Sequence, residues 1–116
     1  MSATPPDRLA AGLEVTSFLR LAEARGGFGT VLHKGDESRG SILLVVLERG
    51  RQTGFLERTL QASGQYEWSD SGPDGADPAR AAQYVAQRRR YDPDCWVIEL
   101  DIPSSERFIA ETIGAT

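Results

Sequence analysis

Gly26-Gly27-Phe28-Gly29-Thr30-Val31-Leu32-His33-Lys34-Gly35-Asp36, followed after a polar turn by Ile42-Leu43-Leu44-Val45-Val46-Leu47, is the stretch whose reading decides the fold. Its glycines admit two readings, an anion-cradling loop or punctuation between a helix and a sheet. A phosphate loop needs a glycine turn that runs from a strand into a helix N-terminus. Here the glycines follow a helical pattern and precede an extended one. Gly26 to Val31 also looks like the latter half of a protein-kinase glycine-rich loop, but no His-Arg-Asp or Asp-Phe-Gly segment accompanies it. Gly26 and Gly27 therefore read as a helix C-cap. Phe28 to Lys34 and Ser41 to Glu48 read as two antiparallel strands joined through Gly35 to Gly40.

Working outward, Val15, Phe18, Leu19 and Ala22 recur at helical spacing, which predicts an amphipathic helix ending at Gly26, with Thr16 or Ser17 as its N-cap. Residues 1–12, with Pro5-Pro6 and small or polar neighbours, read as a flexible N-terminal arm, and 13–116 as a single domain. Phe55 to Leu60 and Gln65 to Ser69 make a second hairpin. Asp70 to Asp77 is a loop, and Asp77-Pro78 is a helix start, with Asp as N-cap and Pro where its missing N–H costs nothing. The packed stripe of that helix is read as Ala81, Ala82, Val85 and Ala86, and Pro93 stops it near Tyr91. Cys95 to Ile102 alternates: Trp96, Ile98, Leu100 and Ile102 on one face, Cys95, Val97, Glu99 and Asp101 on the other. Ser104 or Ser105 then caps a short last helix.

The fold class is α+β: one domain, a mostly antiparallel sheet of about five strands, two main helices and a short C-terminal helix, in the order α-β-β-β-β-α-β-α. One strand departs from the half-exposed pattern. Ile42 to Leu47 is apolar at every position, so both sheet faces are covered there. Either the helices divide between the two faces, the favoured reading, or, as the alternative, a second subunit covers one of them in a homodimer through the face around Ile42 to Leu47.

Composition bounds the rest. The 116 residues fit one core, and 40% hydrophobic with 26% charged residues is ordinary for a globular domain. The longest apolar run falls far short of the roughly 20 residues that span a bilayer, and the N-terminus has no basic start or apolar h-region. A single cysteine, Cys95, has no partner for an internal disulfide, which points to a reducing cytoplasm. The formal net charge of -4 opposes long-range attraction to phosphate backbones and argues against nucleic acid as a partner.

Few residues carry chemistry. Arg88-Arg89-Arg90-Tyr91 joins three guanidinium groups to an aromatic ring and is the best candidate for an anion or partner contact, with Lys34 and Arg39 as possible companions. Against this stands a structural role, because basic residues in the last turn of a helix compensate its dipole and Asp92 and Asp94 adjoin them. His33 is the only histidine, and no G-x-S-x-G elbow accompanies it. Cys95 would need a neighbouring cation to be a nucleophile. No catalytic, cofactor-binding or metal-ligating constellation emerges.

Ala24-Arg25-Gly26-Gly27-Phe28, then Val31-Leu32-His33-Lys34-Gly35-Asp36 and Gly40, and later Arg88 to Asp94 with Cys95-Trp96-Val97-Ile98-Glu99, together resemble a small uncharacterised family of alphaproteobacterial proteins known only as a domain of unknown function. The resemblance runs from about Leu13 to Phe108. It implies a compact bacterial cytoplasmic protein and brings no activity, cofactor or catalytic residue with it. The leading expectation is a non-enzymatic protein that acts through protein contacts. The alternative is anion or nucleic-acid binding through the Arg88 to Tyr91 helix end, and the third is a small enzyme built on Cys95 or His33.

Overall fold

The computed structural model describes residues 10–60, 62–70, 72 and 77–114. Its elements are α1 (Ala11–Ala24), β1 (Phe28–His33), β2 (Ile42–Glu48), β3 (Arg51–Leu60), β4 (Tyr66–Asp70), α2 (Pro78–Tyr91), β5 (Trp96–Asp101) and α3 (Ser105–Gly114). This is the expected α+β order. Of the arm read over 1–12, residues 1–9 lie outside the described residues, as does most of the loop read between Asp70 and Asp77.

The end of α1 is as the glycines require. Gly27 N–H donates to Ala22 O at 2.9 Å and Gly26 N–H to Glu23 O at 3.1 Å, with Gly26 at φ +86, the paired bonds of a Schellman cap. The start of α1 differs from expectation. Thr16 and Ser17 are not caps, because their hydroxyls donate back to the carbonyls of Gly12 and Leu13, both at 3.1 Å. The helix begins earlier, after Ala10. One of its orphan donors, Gly12 N–H, is satisfied by Glu37 O at 2.9 Å, so a distant loop substitutes for a side-chain cap.

The sheet order is β1-β5-β2-β3-β4. This corrects one reading, since β1 and β2 are not neighbours. β5 lies between them, antiparallel to β1 and parallel to β2. The reason is burial: Trp96, Val97, Ile98 and Leu100 are all buried, and only an interior slot covers both faces of such a strand. The connection from Gly35 to Gly40 is long enough to step over one strand, about 9.5 Å as two interstrand spacings. The loop is also fastened to what it steps over. Asp36 N–H donates to Asp94 O at 3.0 Å, Trp96 Nε1 to Asp36 O at 2.8 Å, and Ser41 Oγ to Asp92 Oδ2 at 2.7 Å.

The tight hairpin joins β2 to β3 instead. Its turn, Arg49-Gly50, has φ 54 and 79, the doubly positive geometry that matches the twist of the flanking strands. Asp101 at the end of β5 accepts both turn amides, Arg49 N–H at 2.9 Å and Gly50 N–H at 2.8 Å. The expected β3–β4 hairpin forms, with β3 starting at Arg51 rather than Phe55.

Helices cover both sheet faces. α1 and α3 pack on the face of Ile42, Leu44, Val46, Leu56, Ile98 and Leu100, while α2 lies over Leu43, Val45, Phe55, Cys95 and Val97. The doubly apolar strand β2 is therefore covered by the chain's own helices, and Leu43, Leu44 and Val46 are fully buried. A bidentate ion pair, Arg58 to Glu14 at 2.5 and 2.7 Å, ties β3 to α1, and the same guanidinium lies 5.3 Å from the centre of the Trp68 ring.

Candidate functional site

The Asp77-Pro78 signal positions α2 as expected, with Asp77 Oδ1 accepting Ala79 N–H at 3.0 Å. Its packed stripe is rotated from the one read in the sequence. Ala81, Tyr84 and Val85 face the sheet while Ala82 and Ala86 are exposed, because the Tyr84 ring packs against Phe55 with centroids 4.9 Å apart. The same rotation turns Arg88 inward. It forms an ion pair with Glu57 of β3, which also accepts from Tyr84 Oη at 3.3 Å. The carboxylate keeps the guanidinium firmly protonated, raising its pKa. Glu57 and Tyr84 were missed in the sequence: only the packing of α2 over β3 brings Glu57 to Arg88, whereas Tyr84, one helical turn before Arg88, is signalled by its i, i+4 spacing.

Arg89 is also structural, with Nη1 donating to the carbonyls of Pro93 at 3.2 Å and Cys95 at 3.4 Å, beyond the helix end. Arg90 and Tyr91 are exposed, Tyr91 at 77%. Lys34 forms a loose pair with Glu37 at 3.6 Å, and Arg39 N–H donates to Asp36 Oδ2 at 2.7 Å. The bonds of the Lys34–Ser41 loop to Asp92, Asp94 and Trp96 bring the two predicted clusters to the same end of the molecule. A clean division of roles is expected. Arg88→Leu removes the cation that faces the half-buried Glu57 and should cost about 2 kcal/mol, whereas Arg90→Ala should stay within about 0.5 kcal/mol in urea unfolding.

Cys95 is fully buried, and burial pushes its thiol pKa up, away from the thiolate a nucleophile needs. Among the described residues no three His, Cys, Asp or Glu side chains gather as a metal site, and no helix is long and apolar enough to cross a membrane.

At the opposite end of the sheet, Glu48 acts as the cap of α3. Its Oε1 accepts both the backbone N–H and the hydroxyl of the buried Ser105, each at 2.9 Å, and these bonds lower its pKa. A depressed carboxylate stabilises the fold above the unfolded value of about 4.3, and the contribution is lost as pH falls through the lower folded value. Glu48→Gln should therefore have a lower urea midpoint than wild type at neutral pH, and the gap should close by about pH 2.

The exposed apolar surface gathers elsewhere. On β1, an outer strand of the sheet, Phe28 is 57%, Leu32 42% and Val31 38% exposed. Hollows flank this strand on both faces. One of about 680 Å³ lies toward α1, lined by Leu13, Leu19 and Val31 among others, and one of about 350 Å³ lies toward α2, lined by Leu32, His33, Val85 and Glu99 among others. The other outer strand, β4, carries Glu67 and Asp70 instead. The sequence signalled β1 as a strand, but not as an edge, because the insertion of β5 is not written in its periodicity.

These features have relatives. A family model described as a protein of unknown function, DUF1491, matches residues 9–110. A crystal structure of a DUF1491 family protein from Caulobacter crescentus CB15 superposes with a TM-score of 0.75 at 29% identity, covering 87% of this chain and 94% of that one. A solution structure of a DUF1491 family protein from the same organism gives 0.74 at 28% identity, covering 84% and 88%. The solution structure of protein Atu0922 from A. tumefaciens gives 0.71 at 25% identity, with the same coverage. No curated protein matches the chain. Matched along most of its length, the chain belongs to the DUF1491 family of proteins of unknown function.

Proposed function

We propose that this chain is a non-enzymatic protein-contact domain of the bacterial cytoplasm, and that its contact surface is the outer edge of β1 with the apolar side chains beside it. One observation carries the reading: of the two outer strands, β4 holds the charged residues that discourage pairing, and β1 from Phe28 to Leu32 holds none. A sheet edge in that state accepts a strand from another chain through its free amides and carbonyls, while the flanking side chains select the partner. The fully buried Cys95 suits a reducing compartment.

Anion or nucleic-acid binding through Arg88, Arg89, Arg90 and Tyr91 has less support, because Arg88 serves Glu57 and Arg89 serves the carbonyls beyond its helix. Catalysis by Cys95 has the raised thiol pKa against it. A photo-crosslinking amino acid placed at Phe28 or Glu67, in the cell that makes the protein, tests the reading. Adducts are expected from position 28 and not from position 67. Adducts from position 67 alone, or from neither, would remove it.

A further inference from the structure

Resting on that reading, we infer that the partner of the β1 edge is a second copy of this chain, paired antiparallel about a twofold axis at Thr30. The register follows from the residues. An antiparallel pair on one face sums to a constant even number, and a sum of 60 sets Thr30 opposite Thr30, Phe28 opposite Leu32 and Leu32 opposite Phe28. Those are the two most exposed apolar residues of the strand, each covered by the other. On the opposite face the same register sets Val31 of each copy beside Gly29 of the other. A β-carbon at Gly29 would lie 2.6 Å from Leu19 Cδ2, so the space above Gly29 is walled by Leu19, and the incoming Val31 finds an apolar neighbour there. The pairing stops at Leu32, where the register of β1 against β5 shifts and the regular edge ends.

Charge also favours a second copy in this orientation. One end of β1 is basic through Lys34, which follows the strand, and the other is acidic through its neighbour β5, where Asp101 lies opposite Phe28. An antiparallel twofold brings the basic end of each copy toward the acidic end of its partner, and a parallel arrangement would oppose like charges. Arg25, near the acidic end, is already paired with Glu111 at 2.8 Å. The loose Lys34–Glu37 pair leaves the ammonium able to reorient.

The purified full chain provides the test. Sedimentation equilibrium should show a mean mass that rises with concentration toward twice 12.7 kDa. Thr30→Lys, which sets two ammonium groups face to face at the axis while altering only an exposed side chain, should weaken the association at least tenfold; Glu67→Lys should leave it unchanged. Thr30→Cys should form a disulfide-linked dimer under mild oxidation, the buried Cys95 taking no part. Phe28→Cys and Leu32→Cys should each fail to crosslink alone and should crosslink when mixed. A chain that stays monomeric throughout, or one that links through Phe28→Cys alone, overturns the second copy or its register. If adducts to a different protein still arise from position 28 in the cell, the contact surface stands and only its occupant is wrong; with no such adducts both fail.

Discussion

Leu44→Asp is expected to leave no folded protein at room temperature. Leu44 is fully buried in the centre of β2, between β5 and β3, with its side chain in the core formed by α1, α3 and the sheet. Removing the leucine forfeits about 1.5–3 kcal/mol of burial. The carboxylate that replaces it has no cation in that cluster, so it costs several kcal/mol as an ion, or it stays neutral with a pKa raised by as much as 3–5 units. Either way the total approaches the 5–15 kcal/mol that typically holds a domain of this size together. Far-UV circular dichroism and amide dispersion read the outcome. Cooperative melting near the wild-type temperature would show that β2 does not lie where both faces are packed. Leu44→Ala, costing about 2–5 kcal/mol, should give a folded but weakened protein and serves as the milder comparison.

Gly27→Ala is the second large effect, and it separates two reasons for a glycine at adjacent positions. At Gly27 a β-carbon would lie 1.9 Å from the carbonyl oxygen of Asp101 and 3.0 Å from Ile102 Cα. Those are backbone atoms at the end of β5, so no rotamer change relieves the overlap, and either α1 or the strand end must move. The expected cost is about 3 kcal/mol or more. At Gly26 the space is open, with only Pro103 Cγ at 3.8 Å, and the constraint is its φ of +86. Gly26→Ala should therefore cost only about 1–2 kcal/mol, the left-handed penalty for a side chain. Urea midpoints for the two variants give the comparison directly. Equal losses would mean that the close approach of Gly27 to β5 is absent.

The same pair of glycines marks how far the sequence could be read. Local signals were legible: the Gly26-Gly27 stop, the Asp77-Pro78 start, the alternation of Trp96, Ile98 and Leu100, and the doubly apolar run of β2 all describe the molecule as it is. What failed was pairing across distance. Neighbours in the chain read as neighbours in the sheet, whereas β5, whose residues pair with β2 residues more than fifty positions earlier, takes the slot between it and β1. Nothing in the spacing of either strand encodes that insertion. The caps failed in the same way. α1 borrows Glu37 O and α3 borrows the carboxylate of Glu48, so neither depends on the hydroxyl beside it that propensity favours. The arginines of α2 were found by their composition, but their roles were set by Glu57 and by two carbonyls that only the fold brings near.

These misplacements matter for function because they decide which surface is free. With β5 inserted, β2 is interior and its apolar faces belong to the chain's own core. β1 becomes an edge, and the apolar residues it leaves in water are Phe28, Val31 and Leu32, with Leu13 lining the hollow beside them.

Amide hydrogen exchange on the purified chain, followed from dilute to concentrated solution, tests most directly whether the β1 edge is the contact surface. The expected result is slower exchange with rising concentration at alternate amides between Phe28 and Leu32, no change from Tyr66 to Asp70, and loss of the effect in Thr30→Lys. Slowing along β4 instead, or the same slowing at β1 in Thr30→Lys as in wild type, would contradict it.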